Sequence, residues 1–166
     1  MTALVKVLLV DDDSEFVADL VRRLAGRNCS VTCAHGAGDA FERLSEATGI
    51  EVVLLSVDES SFDGIKTLQG IKKNWPLVEV IAVTGHADIE AAVNAVKFGA
   101  GDYLLKPLDT EKLVCLIEKA ACRKRHRDKL ILDVYMKPYM TRRERERRIA
   151  GILNDTPADR SMSVED

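Results

Sequence analysis

No run in the chain approaches the roughly 18 to 20 apolar residues that a membrane span needs, and the N-terminal M-T-A-L-V-K enters a strand pattern without a signal-peptide layout. No membrane attachment is expected, and the sequence reads as cytoplasmic. There are only four cysteines (Cys29, Cys33, Cys115 and Cys122), which suit reduced thiols in such a compartment, where disulfides are uncommon. The most basic run, Arg123 to Lys129 (R-K-R-H-R-D-K), has no interleaved aromatic residue, and apolar positions vanish across it. The first absence argues against nucleic acid as a partner, the second against a sustained coiled coil; a solvated helical continuation is the expectation. About 45 residues follow position 121, too few for a typical DNA-binding or catalytic output domain.

What is present is a globular core with an appendage. The chain has 166 residues, 46% of them hydrophobic, which gives room for one ordinary domain and a little more. Its net charge of -3 conceals an asymmetry: residues 1 to 121 hold 12 Lys/Arg against 19 Asp/Glu, and residues 122 to 166 hold 12 against 8. We therefore expect an acidic domain over 1–121, a basic helical extension over 122–153 and a disordered tail over 154–166.

Taken in order, Leu4 to Val10 is β-branched and apolar and ends in Asp11, Asp12 and Asp13. Ser14 is a candidate N-cap for a first helix carrying Phe16, Val17, Leu20, Val21 and Leu24 up to Gly26. Cys29 to Ala34 alternates as a second strand, and Ala40, Phe41 and Leu44 mark a second helix ending near Gly49. The unbroken run Val52, Val53, Leu54, Leu55 looks like a strand buried on both faces, and it stops at Ser56. Asp63-Gly64 then opens a third helix that Trp75-Pro76 terminates. Val78 to Val83 is a fourth strand ending at Thr84-Gly85, Ala87 to Phe98 a fourth helix with Gly99 as C-cap, and Tyr103 to Leu105 a fifth strand ending at Lys106-Pro107. Asp109 or Thr110 can cap a fifth helix. Beyond it, Thr141-x-x-Glu144 is a capping-box signature for a short amphipathic helix carrying Ile149, Ile152 and Leu153.

Five strands alternating with five helices imply an α/β fold with helices on both faces of one parallel sheet, and the flavodoxin-like order 2-1-3-4-5 is the expected doubly wound arrangement, with a C-terminal helical extension. In that order Asp11, Asp12, Ser56, Thr84 and Lys106 all fall at the carboxyl edge of the sheet, where such folds bind ligands. Adjacent carboxylates with room for water suit Mg²⁺, while a lysine and a threonine at neighbouring strand ends can hold phosphoryl oxygens.

V-D-D at 10 to 12, D-G-I at 63 to 65, T-G-H-A-D at 84 to 88 and G-A-G-D-Y-L-L-K-P at 99 to 107 resemble the motifs of a response-regulator receiver domain of two-component and phosphorelay signalling, over about residues 3 to 121. The resemblance implies Mg²⁺ held by Asp11, Asp12 and the backbone carbonyl of Asp58, with Asp12 the direct ligand. It implies that Thr84 follows the phosphoryl group, that Tyr103 is the aromatic switch and Lys106 the invariant amine, and that the Lys106-Pro107 bond is cis. It also implies a sensor histidine kinase or another signalling protein as partner, and a partner or homodimer surface on helix four, strand five and helix five.

The chain departs from the family at its centre. Receivers end strand three with a phosphate-accepting Asp, and here that position is Ser56. A carboxylate is already a charged nucleophile and a metal ligand; a serine hydroxyl is neither unless a base activates it, and His35, His86 and His126 are expected outside the pocket. Aspartyl phosphorylation is therefore not expected, Mg²⁺ binding should be weakened, and the module should act by protein contacts without an output domain or enzymatic activity. Three alternatives stand beside this reading. Asp58 could accept instead, although strand rise sets it about 6 to 7 Å beyond Ser56. Ser56 could be an engineered replacement. Asp11-x-Asp13 with Thr84 and Lys106 also resembles a haloacid-dehalogenase-type phosphohydrolase, with Asp11 as nucleophile and Asp13 as acid/base, but no further acidic pair follows. Cys29, Cys33 and His35 alternate onto one face of the second strand, where packing is expected over metal binding.

Overall fold

The computed structural model describes residues 4–47, 49–58, 63–85 and 89–155. Five parallel strands form a single sheet in the order β2-β1-β3-β4-β5: β1 (Val5–Val10), β2 (Cys29–Ala34), β3 (Val52–Ser56), β4 (Glu79–Thr84) and β5 (Asp102–Leu105). The helices are α1 (Ser14–Leu24), α2 (Ala37–Glu46), α3 (Gly64–Asn74), α4 (Ile89–Lys97), α5 (Thr110–Tyr135) and α6 (Arg142–Asn154). The expected fold class and strand order are both observed.

β3 is the central strand, and every residue in it is buried. Its side chains alternate between two cores. Val52 and Leu54 pack with Leu9 and Ile81 against Leu20 of α1 and Leu113 and Ile117 of α5. Val53 and Leu55 pack with Leu8 and Ala82 against Leu44 of α2, Leu68 and Ile71 of α3 and Ala95 of α4. Covering both faces explains why the run reads as continuously apolar rather than alternating. Val31 and the half-buried Cys29 and Cys33 pack against the first core, and burial raises both thiol pKa values.

Local chemistry sets the helix ends. α1 is capped by Asp13, not by Ser14 as the sequence suggested: the Asp13 carboxylate accepts the amides of Glu15 and Phe16, and a carboxylate meets the positive end of the helix better than a hydroxyl does. Asp109 caps α5 in the same way. Gly99 closes α4 at φ 109, a left-handed conformation that favours glycine. Gly64 is required for another reason, since a Cβ there would lie 2.5 Å from the Ser56 carbonyl oxygen and 2.7 Å from the Val57 Cα.

α5 runs 26 residues without interruption, so the change of charge at residue 122 falls inside a helix and not at a break in structure. The basic run on this helix is not a freely solvated face. Arg125 forms a two-point pair with Glu51 (2.7 and 2.9 Å), and Arg123 and Arg127 reach the buried Glu79 at 3.3 and 3.4 Å. Glu51 and Glu79 lie at the amino ends of β3 and β4, where a buried carboxylate needs a cationic partner. Three of the arginines thus fasten the overhanging half of α5 to the base of the sheet. α6 packs back on α5 behind a complete Thr141–Glu144 capping box, with Arg145 over the Tyr135 ring at 5.6 Å. The expected tail falls largely outside the described residues, as do His86 and Ala87.

Candidate functional site

The carboxyl ends of β1, β3, β4 and β5 bring the chemistry together. At the end of β1 the Asp11 amide still pairs with the Ala34 carbonyl, which fixes the backbone as it leaves the sheet. The Asp11 side chain is 2% exposed; Oδ1 accepts the Asp13 amide at 2.9 Å, and Oδ2 lies 3.3 Å from Lys106 Nζ. Asp12, next in the chain, is exposed. The Lys106 amide donates to the Thr84 carbonyl at 2.8 Å, and the Lys106-Pro107 bond is cis as expected. The Lys106 ammonium also sits 4.1 Å from the Phe16 ring centroid, a cation–π contact with α1.

Asp58 departs from its expected place. Its side chain does not continue outward along the strand direction. β3 ends at Ser56, and the chain turns at Val57, whose amide still holds the Val83 carbonyl. The turn folds the Asp58 carboxylate back over the sheet edge. Oδ1 accepts the Thr84 hydroxyl at 2.6 Å and the Gly85 amide at 2.7 Å, and Oδ2 lies 3.5 Å from Lys106 Nζ. The resemblance assigned Asp58 a backbone carbonyl, and its side chain was weighed only as an alternative acceptor set beyond Ser56; its contacts with Thr84 and Gly85, and the place of Phe16 over Lys106, were missed. Asp58 and Thr84-Gly85 lie 26 residues apart in sequence, and strand rise stops applying once the chain turns, so nothing local signals their contact.

The other predicted residues fall as follows. Ser56 is buried at the last position of β3, paired in register with Val83, on the same face as Leu54. Thr84 is fully buried. Tyr103 lies on the opposite face of β5 from buried Leu104 and is 45% exposed; Ile89, Val93 and Phe98 of the α4 region are exposed as well. His35 is exposed, and its amide donates to the Asp39 carboxylate; His126 lines a groove with Val5 and Asn28 at the amino end of the sheet; His86 lies outside the described residues. Asp13 spends its carboxylate on the α1 cap, which leaves it poorly suited to the acid/base role of the phosphohydrolase scheme.

The donor set decides how well a magnesium ion would be accommodated. Hard cations need several oxygen ligands, preferably anionic. Here the β3 terminus offers a neutral hydroxyl, and both Asp11 and Asp58 already share Lys106. Among the described residues no three acidic, cysteine or histidine side chains converge as a metal site. The β3 terminus thus offers a cation one anionic ligand fewer than a carboxylate at residue 56 would give.

Comparisons with known proteins agree on the fold. A sequence profile described as "Response regulator receiver domain" matches residues 7–118. The chain is 39% identical over 114 residues to the DNA-binding transcriptional regulator NtrC of Escherichia coli, covering 69% of this chain and 24% of that protein. It is 38% identical over 116 residues to the transcriptional regulatory protein ZraR of the same species, covering 70% and 26%. The chain thus spans about a quarter of the length of these relatives. Among solved structures, a response regulator receiver domain protein from Clostridium thermocellum superposes with TM-score 0.68 at 31% identity, covering 74% of this chain and 98% of that one. The receiver domain of NtrX from Brucella abortus does so with TM-score 0.66 at 28% identity, covering 69% and 97%.

Proposed function

The chain belongs to the response-regulator receiver family, and on that premise we propose that it is a phosphorylation-independent signalling module of a two-component or phosphorelay pathway, acting by protein contacts and not as an enzyme. The observation that carries this reading is Ser56, buried at the end of β3 where receivers present their acceptor carboxylate. A neutral hydroxyl needs a base to become a nucleophile, and neither His35 nor His126 is placed to act as one. Magnesium, which receivers generally hold at the acceptor site, binds weakly here through Asp11, Asp12 and the Asp58 backbone carbonyl.

The partner is a sensor histidine kinase or another signalling protein. The contact surface is the face of α4, β5 and α5, a region in which Ile89, Val93, Phe98, Tyr103 and Leu105 are all exposed, and a second copy of the chain could use the same face. Among the described residues no helix is long and apolar enough to cross a membrane, which supports a cytoplasmic location.

One finding favours a second reading, in which Asp58 accepts the phosphoryl group: its carboxylate reaches Lys106. Incubation with acetyl phosphate and Mg²⁺, followed by intact mass measurement, separates the two. The native chain should keep its mass and a Ser56→Asp chain should gain one labile phosphoryl group; a labile gain on the native chain that maps to Asp58 would establish the second reading.

A further inference from the structure

We propose that the Asp58 carboxylate is the resident ligand of the phosphoryl-binding subsite, a tethered oxyanion held where a phosphoryl group's oxygens would otherwise sit. The proposal rests on the reading that Ser56 does not accept phosphate, and explains what fills the pocket instead. The groups that resemblance assigns to phosphoryl oxygens are Thr84 and Lys106, and both contact Asp58. The Thr84 hydroxyl is 2.6 Å from Oδ1, and Lys106 Nζ is 3.5 Å from Oδ2. The Gly85 amide adds a third donor at 2.7 Å. A hydroxyl, an amide and an ammonium aimed at one carboxylate make a complete oxyanion cradle.

Two arguments favour a surrogate over an acceptor. Oδ1 already takes two short hydrogen bonds, which draw off the electron density a nucleophile must offer. The same three donors would also be needed to neutralise an incoming phosphoryl group, so Asp58 cannot occupy them and attack a phosphoryl group held by them in one geometry. Charge explains the pairing with Ser56. Asp11 and Asp58 already share Lys106, and a third carboxylate on β3 would repel both. The serine at 56 makes room for the aspartate at 58, so the negative charge has moved two residues along the chain and into the subsite. Thr84 is thereby held toward the pocket without phosphorylation.

The test is NMR on the full chain with orthophosphate as the probe. In the native protein a scalar coupling across the hydrogen bond should connect the Gly85 amide nitrogen with the Asp58 carboxyl carbon, and orthophosphate should leave the Gly85 and Lys106 signals in place. In Asp58→Ala the Gly85 amide should exchange at least about tenfold faster, as expected for loss of a hydrogen bond to a charged group, and orthophosphate should shift both signals saturably. Absence of the coupling in the native chain overturns the proposal; so does an Asp58→Ala variant that leaves Gly85 exchange unchanged or ignores orthophosphate. The coupling is read on the native protein, so the proposal stays testable even if the variant folds poorly. Phosphorylation of the native chain by acetyl phosphate would refute the phosphorylation-independent reading separately.

Discussion

At the carboxyl end of the sheet two carboxylates, Asp11 and Asp58, share the ammonium of Lys106; at the amino end the carboxylates of Glu51 and Glu79 face the guanidiniums of Arg125, Arg123 and Arg127. The first cluster has an excess of acid and the second an excess of base. The surroundings differ as well. Lys106 and Asp58 are about a quarter exposed and rely on a hydroxyl and an amide to complete the site, whereas Glu79 is almost fully buried under arginines from a single helix. Lys72 sits beside the basal cluster; burial lowers its pKa, Arg127 and Arg123 push the same way, and Glu79 opposes them. Its ammonium is held by the carbonyls of Pro76 and Val78. The basal cluster is therefore a structural clamp that fixes the α5 overhang. The upper one is a ligand site in which the protein supplies its own ligand.

From that contrast, the largest stability loss is expected at the base. Glu79→Ala leaves Arg123 and Arg127 facing a buried void, and should cost about 3 kcal/mol, toward the low end for a broken buried pair because Arg123 is partly solvated. Urea denaturation measures it. At the upper site, Lys106→Met removes the shared cation and leaves Asp11 and Asp58 in mutual repulsion, but partial exposure lowers the expected cost to about 2 kcal/mol by the same assay. A loss at Lys106 greater than that at Glu79 would reverse the assignment of clamp and ligand site.

A smaller effect separates the two clusters by function. In a Ser56→Asp background, adding Asp58→Ala should raise the rate of labelling by acetyl phosphate about tenfold, because the emptied cradle no longer competes with the incoming group. Glu79→Ala in that background should leave the rate per folded molecule unchanged.

The smallest expected change concerns α6. The Thr141 amide and hydroxyl hold the Glu144 carboxyl below its usual range. A depressed carboxylate pKa stabilises the folded helix above the unfolded value, near 4.3, and this contribution is lost as pH falls through the folded pKa. Helicity of α6 should therefore fray on acidification below about pH 4, and Thr141→Ala should remove that acid dependence in circular dichroism.

Much of the fold was legible because its signals are local. The buried run of β3, the apolar faces of α1 and α3, the Gly99 cap and the Thr141–Glu144 box each involve partners within a few residues. The convergence of Asp11, Thr84 and Lys106 followed from the rule that parallel strands share a carboxyl edge. The arginine clamp was not legible, since Arg125 and Glu51 lie 74 residues apart and the helical run by itself looks solvated. Asp58 was not legible for a different reason: the strand geometry used to place it ends at Ser56, and its carboxylate instead meets the Thr84 hydroxyl of the neighbouring strand. Asp13 and Ser14 are both favoured N-cap types and stand one residue apart, so residue preference does not choose between them; the Asp13 carboxylate takes the amides of Glu15 and Phe16.

The most direct test of the central claim is the intact mass of the native chain and of its Ser56→Asp variant after incubation with acetyl phosphate and Mg²⁺. The account predicts an unchanged native mass and one labile phosphoryl group on the variant. A labile phosphoryl group on the native chain at Asp58, or any phosphate gain at Ser56, would contradict it.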